Sequence, residues 1–413
     1  MLVKGFITMN QTPLIQTLRL RQFLSFGPDT EVLKLQPLNV LIGPNSSGKS
    51  NVIEALNLLR ATADDLIAPI RAGGGVAEWL WKGDEPQSTA TLETTIHYPA
   101  GKPLRHHLAF RATGQRFELA DEFIDNARFD SPKSSAQFFY RFDNGRPVIT
   151  ASKVTETTGS KNGEQYVKRS LNQHNFNLDQ SVLSQRKDPE QYPEITYLGQ
   201  QYQQIKLYRD WHVGRYAPLR LPQRTDLPQD FLLEDGSNLG LVLNDLLYRS
   251  GLEAILLHEL QEFHDKFRRI SVRVQGGTLQ VFLEEKGFSQ PIPTTRLSDG
   301  TLRYLCLLVI LCHPEPPPLI AIEEPELGLH PDILPRLGKL LQEASQRTQL
   351  VITTHSNALV DAFSATPEVV IVCEKEAGAT VLQRLEKPEL DLWLEQYTLG
   401  QLWRRGEIGG NRW

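Results

Sequence analysis

Apolar positions along the chain fall into two rhythms. Leu18, Leu20, Phe23 and Phe26 alternate as in a strand, and Val32 to Ile42 repeats this, ending in Asn39-Val40-Leu41-Ile42. After a glycine-rich turn, Val52, Ile53, Leu56 and Leu59 follow helical spacing from Ser50 onward. Short strands are predicted at Ala90 to Tyr98, His107 to Ala112 and Phe138 to Phe142. The polar stretch from Ala151 to about Glu190 lacks periodicity and reads as a long surface loop. Pro218, Pro222 and Pro228 mark an extended connector. Asn238 to Arg269 reads as helical, and Ile270 to Glu285 as a hairpin around Gly276-Gly277. A leucine-rich helix follows Ser298. Strands are then expected at Leu319 to Ile322, Gln349 to Thr353 and Glu368 to Val372, with a helix from Pro331 to Ala344 and a short tail.

The expected organisation is a leader over 1–13 and a P-loop lobe over 14–150. An insertion with its connector spans 151–230, and a helical lobe 231–315. A core of two strands fills 316–375, and a tail ends the chain over 376–413. No repeat or long heptad run occurs.

Composition changes this picture little. The chain has 413 residues, 40% hydrophobic and 23% charged, with 29 Gly and 26 Pro. These values exclude collagen-like, low-complexity and wholly disordered chains. No apolar run is long enough to span a membrane, and no apolar signal segment follows the N-terminus, so a cytoplasmic protein without membrane partners is expected. Cys306, Cys312 and Cys373 sit among hydrophobic neighbours and read as buried, reduced thiols. The formal charge of −5 excludes a globally basic nucleic-acid binder, though not a local basic patch. Arg105-His106-His107, Lys168-Arg169, Lys266-Phe267-Arg268-Arg269 and Arg404-Arg405 are candidates for such a patch, although each reads more readily as a solvated face.

The chemistry lies elsewhere. Gly43-Pro44-Asn45-Ser46-Ser47-Gly48-Lys49-Ser50, followed by Asn51, matches GxxxxGK[ST] between a strand and a helix. Its glycines let backbone N–H groups curl around phosphate oxygens at the positive end of a helix. Lys49 reaches the β- and γ-phosphates, and the Ser50 hydroxyl takes Mg²⁺. Such a loop requires an acid at the end of another buried strand. Pro318 to Ile322 leads into Glu323, suited to the metal, and Glu324, suited to polarising the attacking water.

Further motifs narrow the class. Leu297-Ser298-Asp299-Gly300-Thr301 precedes the acidic strand, Glu323-Glu324-Pro325-Glu326-Leu327-Gly328-Leu329-His330-Pro331 continues it, and Thr353-Thr354-His355-Ser356 follows. In this order the chain resembles the ABC-type ATPase heads, and within them the RecF/SMC-like AAA-family ATPases of bacterial DNA repair and phage defence. It is similar to an OLD-like head without the TOPRIM nuclease domain. The motifs cover 14–60 and 230–375, whereas 61–229 match weakly.

The resemblance implies an α/β P-loop fold with a mixed β-sheet lobe and a helical signature lobe. It implies ATP and Mg²⁺ as ligands and a homodimer that sandwiches two ATP molecules. Ser298, Asp299, Gly300 and Thr301 would form the signature facing the partner's ATP. Leu327, Gly328, Leu329 and His330 would form the D-loop, and His355 the switch histidine. Arg303 either supports the loop or is an ordinary ion-paired arginine. Glu323 stands where the family usually has Asp, one methylene shorter. The Q-loop glutamine has no diagnostic context; Gln115 is one of several candidates.

The long stretch between Lys49 and Ser298 holds no heptads, which argues against a tethering coiled coil. That separation also argues against a transporter subunit. A small-molecule kinase has no use for a signature or a switch histidine. No Asp-x-Asp pair follows His355, and Glu374 and Glu376 read as solvated turn residues, so nucleic-acid cleavage by this chain is not expected. The expected role is an ATP-driven switch in a DNA-related process. The alternative is a sensor that controls a separately encoded effector such as a nuclease or toxin. DNA and an effector protein are thus the open partners, and the C-terminal tryptophans (Trp403, Trp413) could dock on the head or on a partner.

Overall fold

The computed structural model describes residues 12–83, 89–127, 138–143, 146–153, 165–170, 177, 179–249 and 251–410. Most of the expected leader therefore lies outside the described residues, as does Trp413.

The central sheet is built from the apolar runs that flank the motifs. Its order is β10 (Lys206–Tyr208), β15 (Leu319–Glu323), β16 (Gln349–Thr353), β3 (Leu38–Ile42), β17 (Val370–Glu376) and β18 (Ala379–Arg384). All pairs are parallel except the antiparallel β17–β18 edge. These strands are apolar nearly throughout because both faces are covered. Val40, Ile320, Ile322, Leu350 and Ile352 enter one hydrophobic core. Their neighbours Leu41, Leu319, Ala321 and Val351 enter the other. The period-two alternation of a strand thus divides each strand between two layers.

One layer is an antiparallel sheet with α1 (Lys49–Thr62) beneath it. Its order is β2 (Leu33–Lys34), β1 (Ile15–Arg21), β4 (Thr89–Ile96), β5 (Leu104–Thr113), β6 (Arg116–Asn126), β7 (Phe138–Asp143), β8 (Arg146–Lys153) and β9 (Gln165–Ser170). Helices α2 (Ile67–Ala72), α3 (Val76–Trp79), α4 (Val182–Gln185) and α5 (Pro193–Gln203) complete this layer. The other layer holds α6 (Leu239–Tyr248), α7 (Leu252–Phe263), α8 (Asp299–Leu311), α9 (Leu334–Ala344), α10 (Asn357–Asp361), α11 (Lys387–Leu394) and α12 (Leu399–Arg405). Against it lies a small antiparallel sheet in which β13 (Thr278–Glu285) pairs with β11 (Gln223–Arg224), β12 (Phe267–Gln275) and β14 (Ile292–Pro293).

Several expectations change. Strand β6 was hidden by its charged residues and by a register shift opposite Ala109/Phe110. The stretch from Ala151, expected as a loop, continues β8 to Lys153 and carries β9 and α4. Main-chain pairing of β8 with β9 requires no apolar pattern. The helical stretch 238–269 is two helices, broken where Gly251 takes φ 85°, and Phe267 already begins β12. The expected short tail instead forms β18, α11 and α12. Trp403 is buried and donates its Nε1 hydrogen to the Gly410 carbonyl at 3.1 Å. Glu374, expected as a solvated turn residue, accepts the Gly410 N–H at 2.6 Å.

Gln349 couples the antiparallel layer to the central sheet. Its buried side chain accepts the Ile15 N–H at 2.9 Å and donates to the Ile15 carbonyl at 2.8 Å, as a neighbouring strand would. Replacing Gln349 with Leu leaves both main-chain groups unpaired. We expect a loss of about 2–4 kcal/mol in unfolding free energy, read from urea denaturation.

Candidate nucleotide site

The P-loop begins where β3 ends. Gly43 has φ 144°, and a Cβ there would collide with the Cys373 carbonyl of β17. Gly48 has φ 104°, and a Cβ would meet the Thr380 and Ser25 hydroxyls. Both positions therefore require glycine. Gly48 is also the residue before α1, and no side chain caps that helix, so the Lys49 and Ser50 amides at its start are left for an anion, whereas Asn51 N–H bonds the Gly48 carbonyl. Lys49 is buried, and its Nζ donates to the Gly43 and Pro44 carbonyls, each at 2.9 Å. Burial lowers its pKa, and the nearby Cys373, Glu324 and Glu323 oppose that shift.

Parallel pairing of β15 with β16 sets Glu323 opposite Thr353. Together with the P-loop, the ends of these strands line a cavity of about 680 Å³. Asn45, Ser46, Gly48, Lys49, Ser50 and Asn51 border it on one side, and Glu323, Glu324, Leu327 and His355 on the other. Gly43, Pro44 and Ser47, expected at the phosphates, do not border the cavity. Glu324 has φ 45°, an unusual conformation for a residue with a Cβ, and its N–H is tied to the Thr353 carbonyl at 3.0 Å. Its Oε1 lies 3.6 Å from His355 Nε2.

His355 is held from behind by Glu326, which accepts the His355 N–H at 2.9 Å and the Thr354 hydroxyl at 2.5 Å. Burial raises the Glu326 pKa, while its hydrogen bonds with Thr354, its own N–H and His355 work against the rise. Burial, and then the charge of Lys49, push His355 below the usual histidine value, with Glu324 opposing. The imidazole is accordingly neutral near pH 7.

A divalent cation fits this arrangement. Glu323 Oε1 is buried without a hydrogen-bond partner among the protein groups, so the site offers an oxygen that a bound cation or its water would satisfy. Ser50 borders the same space. The other oxygen, Oε2, accepts Arg209 Nε at 3.2 Å, and Arg209 Nη1 reaches Glu54 Oε1 at 2.7 Å. Burial acts against the Arg209 charge, but Glu54 and Glu323 more than compensate, and its pKa is raised.

The signature residues do not border this cavity. Ser298 caps α8, accepting the Thr301 N–H at 3.1 Å, and Asp299 pairs with the buried Arg220. Arg220 also donates to the Val213 and Leu297 carbonyls. Gly300 lies so near the Gly328 carbonyl that a Cβ would strike it at 2.7 Å. Arg303, left open by its sequence context, donates to the Leu327 and Trp211 carbonyls at 2.7 and 3.4 Å. Leu327 is 47% exposed at the cavity edge. Leu329 packs against the helical core, and His330 is exposed, its Nδ1 accepting the Asp332 N–H at 3.4 Å.

Sequence reasoning missed Arg209, Glu54, Ser25 and Lys375, all at or beside the cavity. Only Glu54 carries a local signal, lying one helical turn beyond Ser50. No glutamine borders the cavity among the described residues, and Gln115 is exposed in the β5–β6 turn. The three cysteines are free and buried, each thiol pushed up to about 12 by burial. Among the described residues no helix is long and apolar enough to cross a membrane. Arg105 of the first basic cluster is engaged by Asp125 at 2.6 Å, and the side chains of Lys168-Arg169 lie outside the described residues.

A family model described as "AAA domain, putative AbiEii toxin, Type IV TA system" matches residues 38–361, and the chain belongs to that family. No curated protein sequence matches it. Among solved structures it is similar to the SMC head bound to the C-winged helix domain of ScpA (TM-score 0.55, 13% identity). That alignment covers 91% of this chain and 99% of the other. The Pyrococcus furiosus SMC head with an extended coiled coil, bound to the C-terminal domain of ScpA, aligns at TM-score 0.54 and 13% identity. There the coverage is 93% and 99%. The fold is thus that of an ABC-type P-loop ATPase head like those of the SMC proteins, and by family the chain carries an AAA domain.

The opposing influences on His355 give a spectroscopic prediction. Its ring resonances in NMR should titrate below 6.5 in the wild-type chain. The midpoint should rise in Lys49→Met, which removes a repelling cation, and fall further in Glu324→Gln, which removes an attracting carboxylate.

Proposed function

We propose that this chain is an Mg²⁺-dependent ATP hydrolase that works as a dimeric switch. The observation supporting this most directly is the convergence of Lys49, Ser50, Glu323, Glu324 and His355 on one cavity at the P-loop. The loop amides from Asn45 to Ser50 and the Lys49 ammonium bind the phosphates. Ser50 Oγ and Glu323 Oε1 would hold Mg²⁺, which when bound neutralises charge on the phosphate oxygens. Glu324 orients the attacking water and takes its proton. Oxygen then bonds to the γ-phosphorus while the bond to the β–γ bridging oxygen breaks, leaving ADP and phosphate. Neutral His355 donates a hydrogen bond to the γ-phosphate, its loop held by Glu326.

In this reading a second copy of the chain completes the site. Its Ser298, Asp299, Gly300 and Thr301 close over the γ-phosphate, and Leu327 to His330 lie between the two heads. The exposure of Leu327 and the lack of signature residues around the cavity support that arrangement. Hydrolysis then separates the heads and drives or licenses a DNA transaction, in repair or in defence against phage. A second reading is a sensor that holds a separately encoded effector. Leu392 and Trp393, exposed side by side on α11, favour a protein contact outside the nucleotide site.

Steady-state ATP hydrolysis with and without DNA tests both readings. Glu324→Gln should lower kcat by about 10²-fold or more, as expected for loss of a general base, while retaining ATP binding and accumulating an ATP-bound dimer in gel filtration. Lys49→Ala should abolish binding. Stimulation by DNA favours the DNA switch, hydrolysis indifferent to DNA favours the sensor, and unchanged turnover in Glu324→Gln overturns the catalytic assignment.

A further inference from the structure

Of the charged groups that line the cavity, the proposed reaction leaves Arg209 and Lys375 unused, and Arg209 is the one tied to the metal acid. Arg209 follows β10 directly, and its guanidinium bridges two carboxylates on different elements, Glu54 of α1 and Glu323 of β15. Glu54 lies one turn beyond Ser50, so Arg209 ties the helix bearing the metal hydroxyl to the strand bearing the metal acid. The Arg209 backbone is fixed as well. Trp211, two residues on, stacks on the buried Tyr208 ring at 5.9 Å and donates its Nε1 hydrogen to the Glu323 carbonyl at 3.3 Å.

The consequence for Glu323 is asymmetric. Arg209 occupies Oε2, whereas Oε1 stays buried and unpartnered. A carboxylate held this way offers one oxygen to a cation, not two. Mg²⁺ takes carboxylates through single oxygens in a small octahedron, whereas Ca²⁺ is larger, takes more oxygens and readily accepts both from one carboxylate. Glu also has one more rotatable bond than Asp, and the Arg209 bond removes that freedom.

We propose that Arg209 is a positioning residue that makes this nucleotide site selective for a cation the size of Mg²⁺ over one the size of Ca²⁺. Arg209 confines Glu323 to single-oxygen coordination, and Glu54 anchors Arg209 in turn. The inference rests on the reading that the cavity binds metal–ATP.

The test is binding, not turnover. The full chain is titrated with a fluorescent, non-hydrolysable ATP analogue in Mg²⁺, in Ca²⁺ and in EDTA. Arg209→Met should compress the ratio of the Ca²⁺ to the Mg²⁺ dissociation constant by about tenfold, the scale seen when an outer partner of a metal ligand is lost. Its affinity in EDTA should stay within about twofold of wild type, because no phosphate contact is removed. Arg209→Lys, which keeps the charge but cannot span both carboxylates, should restore only part of the ratio. In a Glu323→Asp background the shorter acid lies beyond Arg209, so adding Arg209→Met should leave the ratio unchanged. Should Arg209→Met fail to fold, Glu54→Gln replaces it, with a smaller change in the same direction.

An unchanged ratio in folded Arg209→Met, with metal-dependent binding intact in the wild type, overturns the inference and leaves the ATPase reading standing. Equal weakening in Mg²⁺ and EDTA also overturns it, making Arg209 a phosphate ligand. Absence of nucleotide binding by the wild-type chain would remove the ATPase reading and this inference together.

Discussion

The site depends on the parallel register of β15, β16 and β3. Glu323 pairs with Thr353, and Thr353 with Leu41, so three strands end at one edge of the sheet. At that edge the chain leaves β3 as the P-loop, β15 as the two glutamates and β16 as the histidine loop. Two further main-chain bonds extend the register past the strands, from Glu324 N–H to Thr353 and from Thr354 N–H to Leu41. Such pairing is stable only when both faces of the sheet are buried. The two cores on either side, one filled by α1 and the antiparallel sheet and the other by α8 and α9, are therefore conditions of the chemistry.

Within that frame the cavity balances opposite charges at close range. Lys49, Arg209 and Lys375 face Glu323 and Glu324, and neutral His355 stands at the edge. Three of these groups are restrained from outside the cavity: Lys49 by loop carbonyls, Arg209 by Glu54, and the histidine loop by Glu326. The backbone strain at Glu324 belongs to the same design, since φ 45° turns the chain sharply after β15. The signature loop is fixed independently, by Arg220 beneath it and by Arg303, which joins α8 to the Leu327 carbonyl.

The P-loop, the acidic strand and the histidine loop were legible in the sequence, and the strand predicted from Gln349 to Thr353 matches β16 residue for residue. These segments combine an unbroken apolar run with a local motif. The missed elements lack that combination. In β6, Asp121 and Glu122 interrupt the apolar pattern, yet Glu122 is fully buried because Ser181 and the Val182 N–H satisfy it. In β9 pairing resides in the main chain, which leaves no side-chain signature. Beyond the last predicted strand, Trp403 and Glu374 close the C-terminal segment onto the head through contacts that local periodicity does not encode.

Where a glycine-rich loop joins β3 to α1, which strand carries the acids and which helix Ser298 caps could all be read from the chain itself. Each of these follows from residues adjacent in the chain and from backbone preferences they impose directly. What surrounds those groups is set by contacts between segments far apart in the chain. Arg209 meets Glu54 and Glu323 across 155 and 114 positions of sequence, and its role depends on two carboxylates brought together by separate elements. Hydrogen bonds and charge act over a few ångströms of space, so partners distant in sequence become neighbours only when the sheet and both its cores have formed.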